Sequence, residues 1–327
     1  MRYIMGVDGG GSKTYTVITD ENGNKIGEGI SGCGNYQMIG LEQALAHIKS
    51  SIDLALEGTG LTYKEIEFVQ YGLAGADRKK DYSILRSGLK TLPLQNWDLL
   101  GDALVGLRLG SHDNVGVVLV CGSGTNAVGK SKDGAVVQTG GFGYLYGDAA
   151  GGNYMAVETF RLAVRSWDSR EIPSILTKKV PRFFGFDSMD ELINHFLDRQ
   201  VKNVPGELTI LLHEAADEGD QLAIQLLSKV GCELGIAANS VIKRIGNFGI
   251  DTIPVVLIGT IFQRAKNTFL LEALEKTIKR KNRKIELIIP EMEPVFGAVL
   301  LGMDRLRIKV TPDVYAKFNL YRRALVE

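Results

Sequence analysis

The chain has 327 residues, 45% of them hydrophobic, and its 38 basic and 38 acidic side chains cancel. This length fits two domains of ordinary size with a substantial core. A net charge of zero argues against a surface for nucleic acids or anionic membranes, and no apolar run is long enough to span a bilayer. Three scattered cysteines argue against a disulfide framework or a zinc site.

The first third of the chain predicts three strands followed by alternating helices and strands. RYIMGVD, YTVITD and KIGEGI read as strands, and DENGNK supplies the turn before the third. LEQALAHIKSSIDLAL has the apolar spacing of a helix. Further along, EIEFVQYGLAG reads as a strand, KKDYSILRSGLKTL as a helix, and NWDLLGDALVGLRLG as a short strand that runs into a helix. RYIMGVD also lacks a signal-peptide pattern, so a cytoplasmic location is expected.

The pattern then starts again. NVGVVLVCGSGTNAVGK and GAVVQTGGFGYLYGD read as strands around a glycine-rich turn, and residues 152–246 read as helical. The end is again α/β: IPVVLIG, FLLEALEKTIKR, KIELIIP and PVFGAVLLGMDRL. An apolar strand thus runs twice into a glycine-rich turn, which indicates a duplicated architecture. We expect a first domain over residues 1–114 and a second over 115–307 with a helical insert at 152–246, the helix at about 308–327 returning to the first.

The segment DGGGSKT, residues 8–14, combines a carboxylate with a glycine-rich turn at the end of a strand. The backbone N–H groups of such a turn can hold phosphate oxygens. Asp8 cannot hold phosphate directly, but it can hold Mg²⁺ through water. Ser12, Lys13 and Thr14 would add donors. The alternative is an ordinary hairpin that needs glycine for its turn.

GTNAVGKS, residues 124–131, matches the Walker A pattern letter for letter. A P-loop must pass directly into a helix. Here KDGAVVQTGG follows, which is a turn and then an alternating strand. We therefore interpret the segment as a hairpin, although its first glycines can still meet phosphate.

Three more positions are candidates for chemistry. Asp102, in LLGDA, is either a helix N-cap or a general base that takes a proton from an alcohol during phosphoryl transfer. Asp148, in GFGYLYGD, is likewise a cap or a ligand. Gly259, in VLIGTIF, ends a third strand, either as a simple turn or to let the backbone approach a flat ring.

Taken in order, GVDGGGSKT, GLAGAD, GDA, CGSGTNA, GGFGYLYGD, VLIG and EPVFGAVLLG resemble the BadF/BadG/BcrA/BcrD ATPase family and its N-acetylglucosamine kinase branch, within the superfamily of actin, Hsp70 and sugar kinases. The resemblance spans almost the whole chain. It implies an α/β fold of two RNase H-like domains around a central nucleotide cleft. It also implies ATP and Mg²⁺ as cofactors, a small amino sugar as substrate, and a homodimer.

Carried onto this sequence, the resemblance assigns a role to each matching position. Asp8 would lie near the metal, and Asp102 would remove the proton from the sugar 6-hydroxyl. The expected ATP contacts are Gly10, Gly11, Ser12, Lys13 and Thr14, then Gly122, Ser123, Gly124 and Thr125, and Gly259 at the adenosine. The expected sugar contacts are Asn35, Asp102, Asn126 and Asp148. Ala149 stands where the family usually has a glutamate, which leaves the sugar specificity open.

Two other functions remain open at this point. A member of the same family could activate a 2-hydroxyacyl-CoA dehydratase through a [4Fe–4S] cluster, with Cys121 or Cys33 as ligands. A buried small thiol is the alternative interpretation of these cysteines. The chain could also be a non-catalytic ATP-binding regulatory protein.

Overall fold

In the computed structural model, which describes residues 1–264, 267–282 and 284–321, the chain forms two compact units. The first unit combines residues 1–116 with the residues from Pro290 on, and the second unit covers residues 117–289. Each unit is built around one five-stranded sheet.

The first sheet has the strand order β3-β2-β1-β4-β5. Its strands are β1 Tyr3–Gly9, β2 Thr14–Asp20, β3 Lys25–Ser31, β4 Ile66–Leu73 and β5 Trp97–Gly101. The three N-terminal strands pair antiparallel, whereas β4 runs parallel to β1 and β5 runs parallel to β4. The carboxyl ends of β1, β4 and β5 therefore share one edge of the sheet.

The second sheet repeats this plan with the order β10-β9-β6-β7-β8. Its strands are β6 Gly116–Cys121, β7 Thr125–Lys130, β8 Val136–Thr139, β9 Ile253–Ile258 and β10 Ile285–Ile288. The strands β7 and β8 pair antiparallel, and β9 runs parallel to both β6 and β10. The predicted duplication is confirmed by this repeated order.

Helices cover both sheets. In the first unit they are α1 Tyr36–Ile39, α2 Leu41–Leu56, α3 Lys79–Leu89, α4 Asp102–Gly110, α12 Pro294–Arg305 and α13 Pro312–Leu320. In the second unit they are α5 Gly152–Trp167, α6 Leu176–Phe183, α7 Met189–Asp198, α8 Leu208–Asp217, α9 Gln221–Ile245, α10 Thr260–Arg264 and α11 Phe269–Lys279. None of the helices in the described residues is long and apolar enough to cross a membrane.

Side chains of β1 alternate between two packed layers. Met5 and Val7 belong to the core that Ile48 and Ile52 of α2 complete. Gly6 points the other way, where an added Cβ would lie 2.7 Å from the carbonyl oxygen of Val295. Glycine at position 6 therefore lets α12 approach the sheet closely, on the face opposite α2.

The position of α12 differs from the predicted domain boundary. The predicted second domain included residues 290–307, but α12 packs in the first unit. Glycine again permits the contact: a Cβ on Gly297 would lie 2.4 Å from the carbonyl oxygen of Val105 in α4. The helix α13 also lies in this unit, where Phe318 stacks on Phe296. The predicted segment beyond Tyr321 lies outside the described residues.

Candidate active site

The glycine-rich turn between β1 and β2, residues 10–13, is tight and open to solvent. The N–H of Gly10 donates to the carbonyl oxygen of Lys13 over 2.9 Å. Gly11, Ser12 and Lys13 at its apex are exposed. Thr14 differs, because it is buried and its hydroxyl donates to the carbonyl oxygen of Gly32. The turn therefore offers its backbone and the Lys13 side chain outward, while the Thr14 hydroxyl is used internally.

Asp8 is the penultimate residue of β1 and lies on the same face of the sheet as Gly6 and α12, since strand side chains alternate. Burial raises the pKa of Asp8 to about 7, and the charges of Asp102 and Glu293 add to this while Lys13 opposes it. A carboxyl group in this environment ionises readily only when a cation compensates its charge.

Asp102 begins α4 directly after β5. Through the sheet register, Asp8 lies opposite Gly72 of β4 and Gly72 lies opposite Leu100 of β5. Neighbouring strands lie about 4.8 Å apart. Asp8 and Asp102 are thus separated by two strand spacings, and both lie at the carboxyl ends of their strands. The N-cap of α4 is Gly101, so Asp102 is not the cap. Its Oδ1 accepts the N–H of Ala103 over 2.8 Å, and burial raises the pKa of its carboxyl group.

Glu293 is a functional candidate that the sequence analysis did not single out. It is the N-cap residue of α12, and its side chain is only 18% exposed. Its Oε2 lies 3.7 Å from the Nζ of Lys13, which also sits over the ring of Tyr15. Lys13 therefore connects the exposed turn to a third carboxylate near Asp8.

Asn35 lies in the loop that follows β3, beside the opening turn. The N–H of Gly34 donates to the carbonyl oxygen of Gly10 over 2.9 Å. The Oδ1 of Asn35 accepts the N–H of Gln37, so the side chain caps the short helix α1. The structure thus brings Asn35 close to the turn of residues 10–13 and fixes its amide orientation.

The second glycine-rich turn, residues 122–124, joins β6 to β7. The N-terminus of α5 closes it from behind: the N–H groups of Gly152 and Asn153 donate to the carbonyl oxygens of Gly122 and Ser123. A Cβ on Gly122 or Gly124 would meet no atom within 4 Å. The turn therefore has open space on its other side, as a phosphate-binding turn requires.

Asn126 and Asp148 lie on either side of the glycine-rich segment Gly140–Gly143. Asp148 accepts the N–H groups of Gly141 and Gly143, at 3.1 and 2.5 Å. It is not a helix cap, because α5 begins only at Gly152 with Gly151 as its N-cap. The buried Oδ1 of Asn126 has no hydrogen-bond partner within the described chain. Asp148 thus shapes the segment, and Asn126 presents an unsatisfied acceptor beside it.

Gly259 directly follows β9 and has a φ of +109°, and a Cβ there would lie 2.4 Å from the carbonyl oxygen of Cys121. The residue lets β9 pass closely behind the second turn. Burial raises the pKa of the Cys121 thiol to about 12, against the N–H of Gly151 that favours the thiolate. Cys121 is therefore a neutral, buried thiol, the form least suited to bind iron.

The Walker A match has a different structure from a P-loop. Residues 125–130 form the strand β7, which pairs antiparallel with β8. The charged turn after it leads to β8 and not to a helix. The hairpin interpretation is confirmed, and Lys130 is a strand residue.

A model of the BadF/BadG/BcrA/BcrD ATPase family matches residues 5–302. The chain belongs to this family. The N-acetyl-D-glucosamine kinase of Dictyostelium discoideum is 28% identical over 313 residues, covering 92% of this chain and 98% of that protein. The N-acetylmuramic acid/N-acetylglucosamine kinase of Clostridium acetobutylicum is 25% identical over 304 residues, with coverage of 92% and 98%.

Solved structures of sugar kinases are similar to this chain over nearly its whole length. A Chromobacterium violaceum protein provisionally designated an N-acetylglucosamine kinase superposes with a TM-score of 0.72 at 24% identity, covering 92% of this chain and 99% of that one. A ROK family glucokinase from Streptomyces griseus, solved with glucose and AMPPNP, has a TM-score of 0.56 at 15% identity, with coverage of 93% and 99%. The family member described here thus has the predicted α/β fold of sugar kinases.

Proposed function

We propose that this protein is an ATP-dependent kinase that phosphorylates the 6-hydroxyl of an amino sugar, with N-acetylglucosamine as the preferred acceptor. The observation that carries the proposal is the position of Asp102, at the same sheet edge as Asp8 and at the start of α4. Relatives named as kinases of N-acetylglucosamine, which match along nearly their full length, support the substrate class.

The two glycine-rich turns are the proposed phosphate-binding elements. Backbone N–H groups of residues 11–14 and of residues 123–125 would donate to phosphate oxygens of ATP, whereas those of Gly10 and Gly122 donate within their own turns. Lys13 would add a cationic contact, since its side chain is half exposed at the apex of the first turn. The adenosine of ATP would bind beside Gly259, because this residue has no side chain to fill the space next to the second turn, residues 122–124.

Asp8 fits a divalent cation. Burial and the nearby carboxylates of Asp102 and Glu293 raise its pKa more than Lys13 lowers it, so a cation would stabilise the ionised form. Magnesium prefers carboxylate oxygens and retained water. Asp8 would hold Mg²⁺ through water. When bound, the ion supplies positive charge that offsets the negative charge on the phosphate oxygens.

Asp102 is the proposed base. It takes the proton of the sugar 6-hydroxyl while that oxygen bonds to the γ-phosphorus of ATP and the bond from the γ-phosphorus to ADP breaks. Burial supports this role because it raises the pKa of Asp102, which makes the carboxylate a stronger base than an exposed aspartate. Asn35 and Asn126 would bind sugar hydroxyls, as would the remaining lone pairs of Asp148.

The test is a coupled ADP-release assay with wild-type protein and the variant Asp102→Asn, over N-acetylglucosamine, glucosamine, N-acetylmuramic acid and glucose. The wild type should turn over N-acetylglucosamine with the highest kcat/KM. The variant should lose roughly 10²- to 10⁴-fold in kcat, the range for loss of a general base. Calorimetry with a non-hydrolysable ATP analogue should show nearly unchanged affinity.

Asp98→Asn is the matched control, because Asp98 lies on the same strand β5 but pairs with Arg86 at the surface. Its kcat should equal that of the wild type. The base assignment is wrong if Asp102→Asn retains more than about a tenth of the wild-type kcat. The kinase proposal itself is wrong if no sugar in the panel stimulates ADP release.

A further inference from the structure

The loop that carries Asn35 is partly buried, and hydrogen bonds tie it to neighbouring segments. We call residues 33–39 the acceptor loop. Because the Oδ1 of Asn35 accepts the N–H of Gln37 over 2.9 Å, its Nδ2 is left to donate elsewhere. In the proposed function this Nδ2 binds a hydroxyl of the acceptor sugar. The affinity for the sugar then depends on how firmly the loop is positioned.

Two bonds tie the acceptor loop to neighbouring turns. The N–H of Gly34 donates to Gly10, and the Nε2 of Gln37 donates to the carbonyl oxygen of Gly75 over 3.1 Å. Gly75 has a φ of +81°, and an added Cβ would lie 2.9 Å from the Oδ1 of Asn35. Any side chain at position 75 would therefore press directly on Asn35.

The third tie is the strongest. The hydroxyl of Tyr36 donates to the Oδ1 of Asp81 over 2.5 Å, and the Asp81 side chain is fully buried. Arg78 donates to both oxygens of the same carboxylate at 2.8 Å, and its backbone N–H adds a further bond at 2.9 Å. Arg78 holds the pKa of Asp81 far below its usual range, and the hydrogen bond from Tyr36 acts in the same direction.

Asp81 is therefore a charged acceptor at every ordinary pH. Hydrogen bonds to an ionised acceptor are shorter and about twice as strong as neutral ones. Tyr36 follows Asn35 directly in the chain. The hydrogen bond that ties Tyr36 to Asp81 of α3 therefore also holds the backbone of Asn35 in place. Among the described residues, the acceptor loop meets the first turn through the Gly34 bond and through Met38, whose Sδ lies beside Gly11. The bond from Tyr36 to Asp81 instead joins the loop to α3.

We propose that Tyr36 and Asp81 are positioning residues for the acceptor: they hold Asn35 where its Nδ2 can bind a sugar hydroxyl, and so set the affinity for the sugar and not for ATP. The inference rests on the proposed function and adds to it two residues that make no contact with the substrate.

The experiment is a double-mutant cycle with Tyr36→Phe, Asn35→Ala and the double variant, in the ADP-release assay. Asn35→Ala should raise the KM for N-acetylglucosamine. Tyr36→Phe should raise it about tenfold, the factor lost with a hydrogen bond to a charged group, with the KM for ATP unchanged within about twofold. In the Asn35→Ala background, adding Tyr36→Phe should change the KM for the sugar less than about twofold.

Tyr63→Phe is the matched control. It removes the hydroxyl of another tyrosine of the first unit that donates to a carboxylate, that of Asp53 on α2. Its kinetic constants should not change. Gly75→Ala gives a second route, because it presses on Asn35 without altering Tyr36, and it too should raise the KM for the sugar. If Tyr36→Phe does not fold, Gly75→Ala still tests whether the position of Asn35 sets the affinity for the sugar, and an unchanged KM for the sugar then overturns the inference.

The inference is overturned if Tyr36→Phe raises the KM for the sugar equally in both backgrounds, or if the KM for ATP rises with it, because a general structural defect predicts both. The inference is also wrong if Asn35→Ala leaves the KM for the sugar unchanged. The proposed kinase function would stand in that case. A wild-type protein that phosphorylates no sugar would overturn this inference and the proposed function together.

Discussion

Asp8→Asn should make the protein more stable at alkaline pH in the absence of divalent cations. Folding raises the pKa of Asp8 from its ordinary value of 3.8 to about 7. A raised folded pKa means that the protonated form is favoured by folding. The contribution of Asp8 to the free energy of unfolding is therefore complete below about pH 4. This contribution is lost as the pH rises through about 7. Asparagine cannot ionise, so the variant escapes this loss.

The expected size follows from the shift. Three pKa units correspond to about 4 kcal/mol, at 1.36 kcal/mol per unit. Asp8 keeps partial access to solvent, so about half of that, ~2 kcal/mol, is the realistic gain. For a domain of this size such a change raises the Tm by roughly 4–8 °C.

Differential scanning calorimetry of both proteins at pH 5 and pH 8.5, in EDTA, measures the effect. Other ionisable groups titrate in both proteins and cancel in the difference between them. The variant should gain in Tm over the wild type from pH 5 to pH 8.5. Asp98→Asn should show no such gain. A difference in Tm that stays constant with pH, or that reverses, would refute the reasoning about Asp8.

Three further variants, the first with a matched control, test other parts of the site. Lys13→Met should raise the KM for ATP, whereas Lys130→Met, in the Walker A match, should leave it unchanged because Lys130 lies in β7; steady-state kinetics in ATP decide this. Glu293→Gln should lower the KM for ATP about two- to fivefold at low salt, since it frees Lys13 from a partly exposed ion pair, and the effect should fade in high salt. Gly259→Ala should lower the Tm and weaken ATP binding in calorimetry, because its Cβ would meet the carbonyl oxygen of Cys121 at 2.4 Å; an unchanged Tm would contradict the close contact.

Local pattern predicted much of the fold. The helix predicted from LEQALAHIKSSIDLAL is α2, Leu41–Leu56. The strand predicted from RYIMGVD agrees with β1 to within one residue at each end. The P-loop was excluded because the residues after GKS have the chemistry of a turn and a strand, which is also local information. In these segments the spacing of apolar residues and the turn residues agree with the tertiary structure.

Contacts between segments far apart in the sequence could not be predicted. Glu293 reaches Lys13 only because α12 returns to the first unit, where Gly6 and Gly297 allow close packing. The local sequence does not predict that α12 packs in the first unit, since EPVF by itself indicates only the start of a helix. Similarly, the N-cap role of Asp102 could be excluded only once Gly101 was seen to occupy the N-cap position, and its role as a base stays a prediction.

In the proposed function, both glycine-rich turns bind the phosphates of ATP. A crystal structure of the protein with a non-hydrolysable ATP analogue and N-acetylglucosamine tests it most directly. We expect phosphate oxygens about 3 Å from backbone nitrogens of residues 11–14 and of residues 123–125. This expectation is contradicted by an analogue whose phosphates bind elsewhere on the chain and contact neither turn.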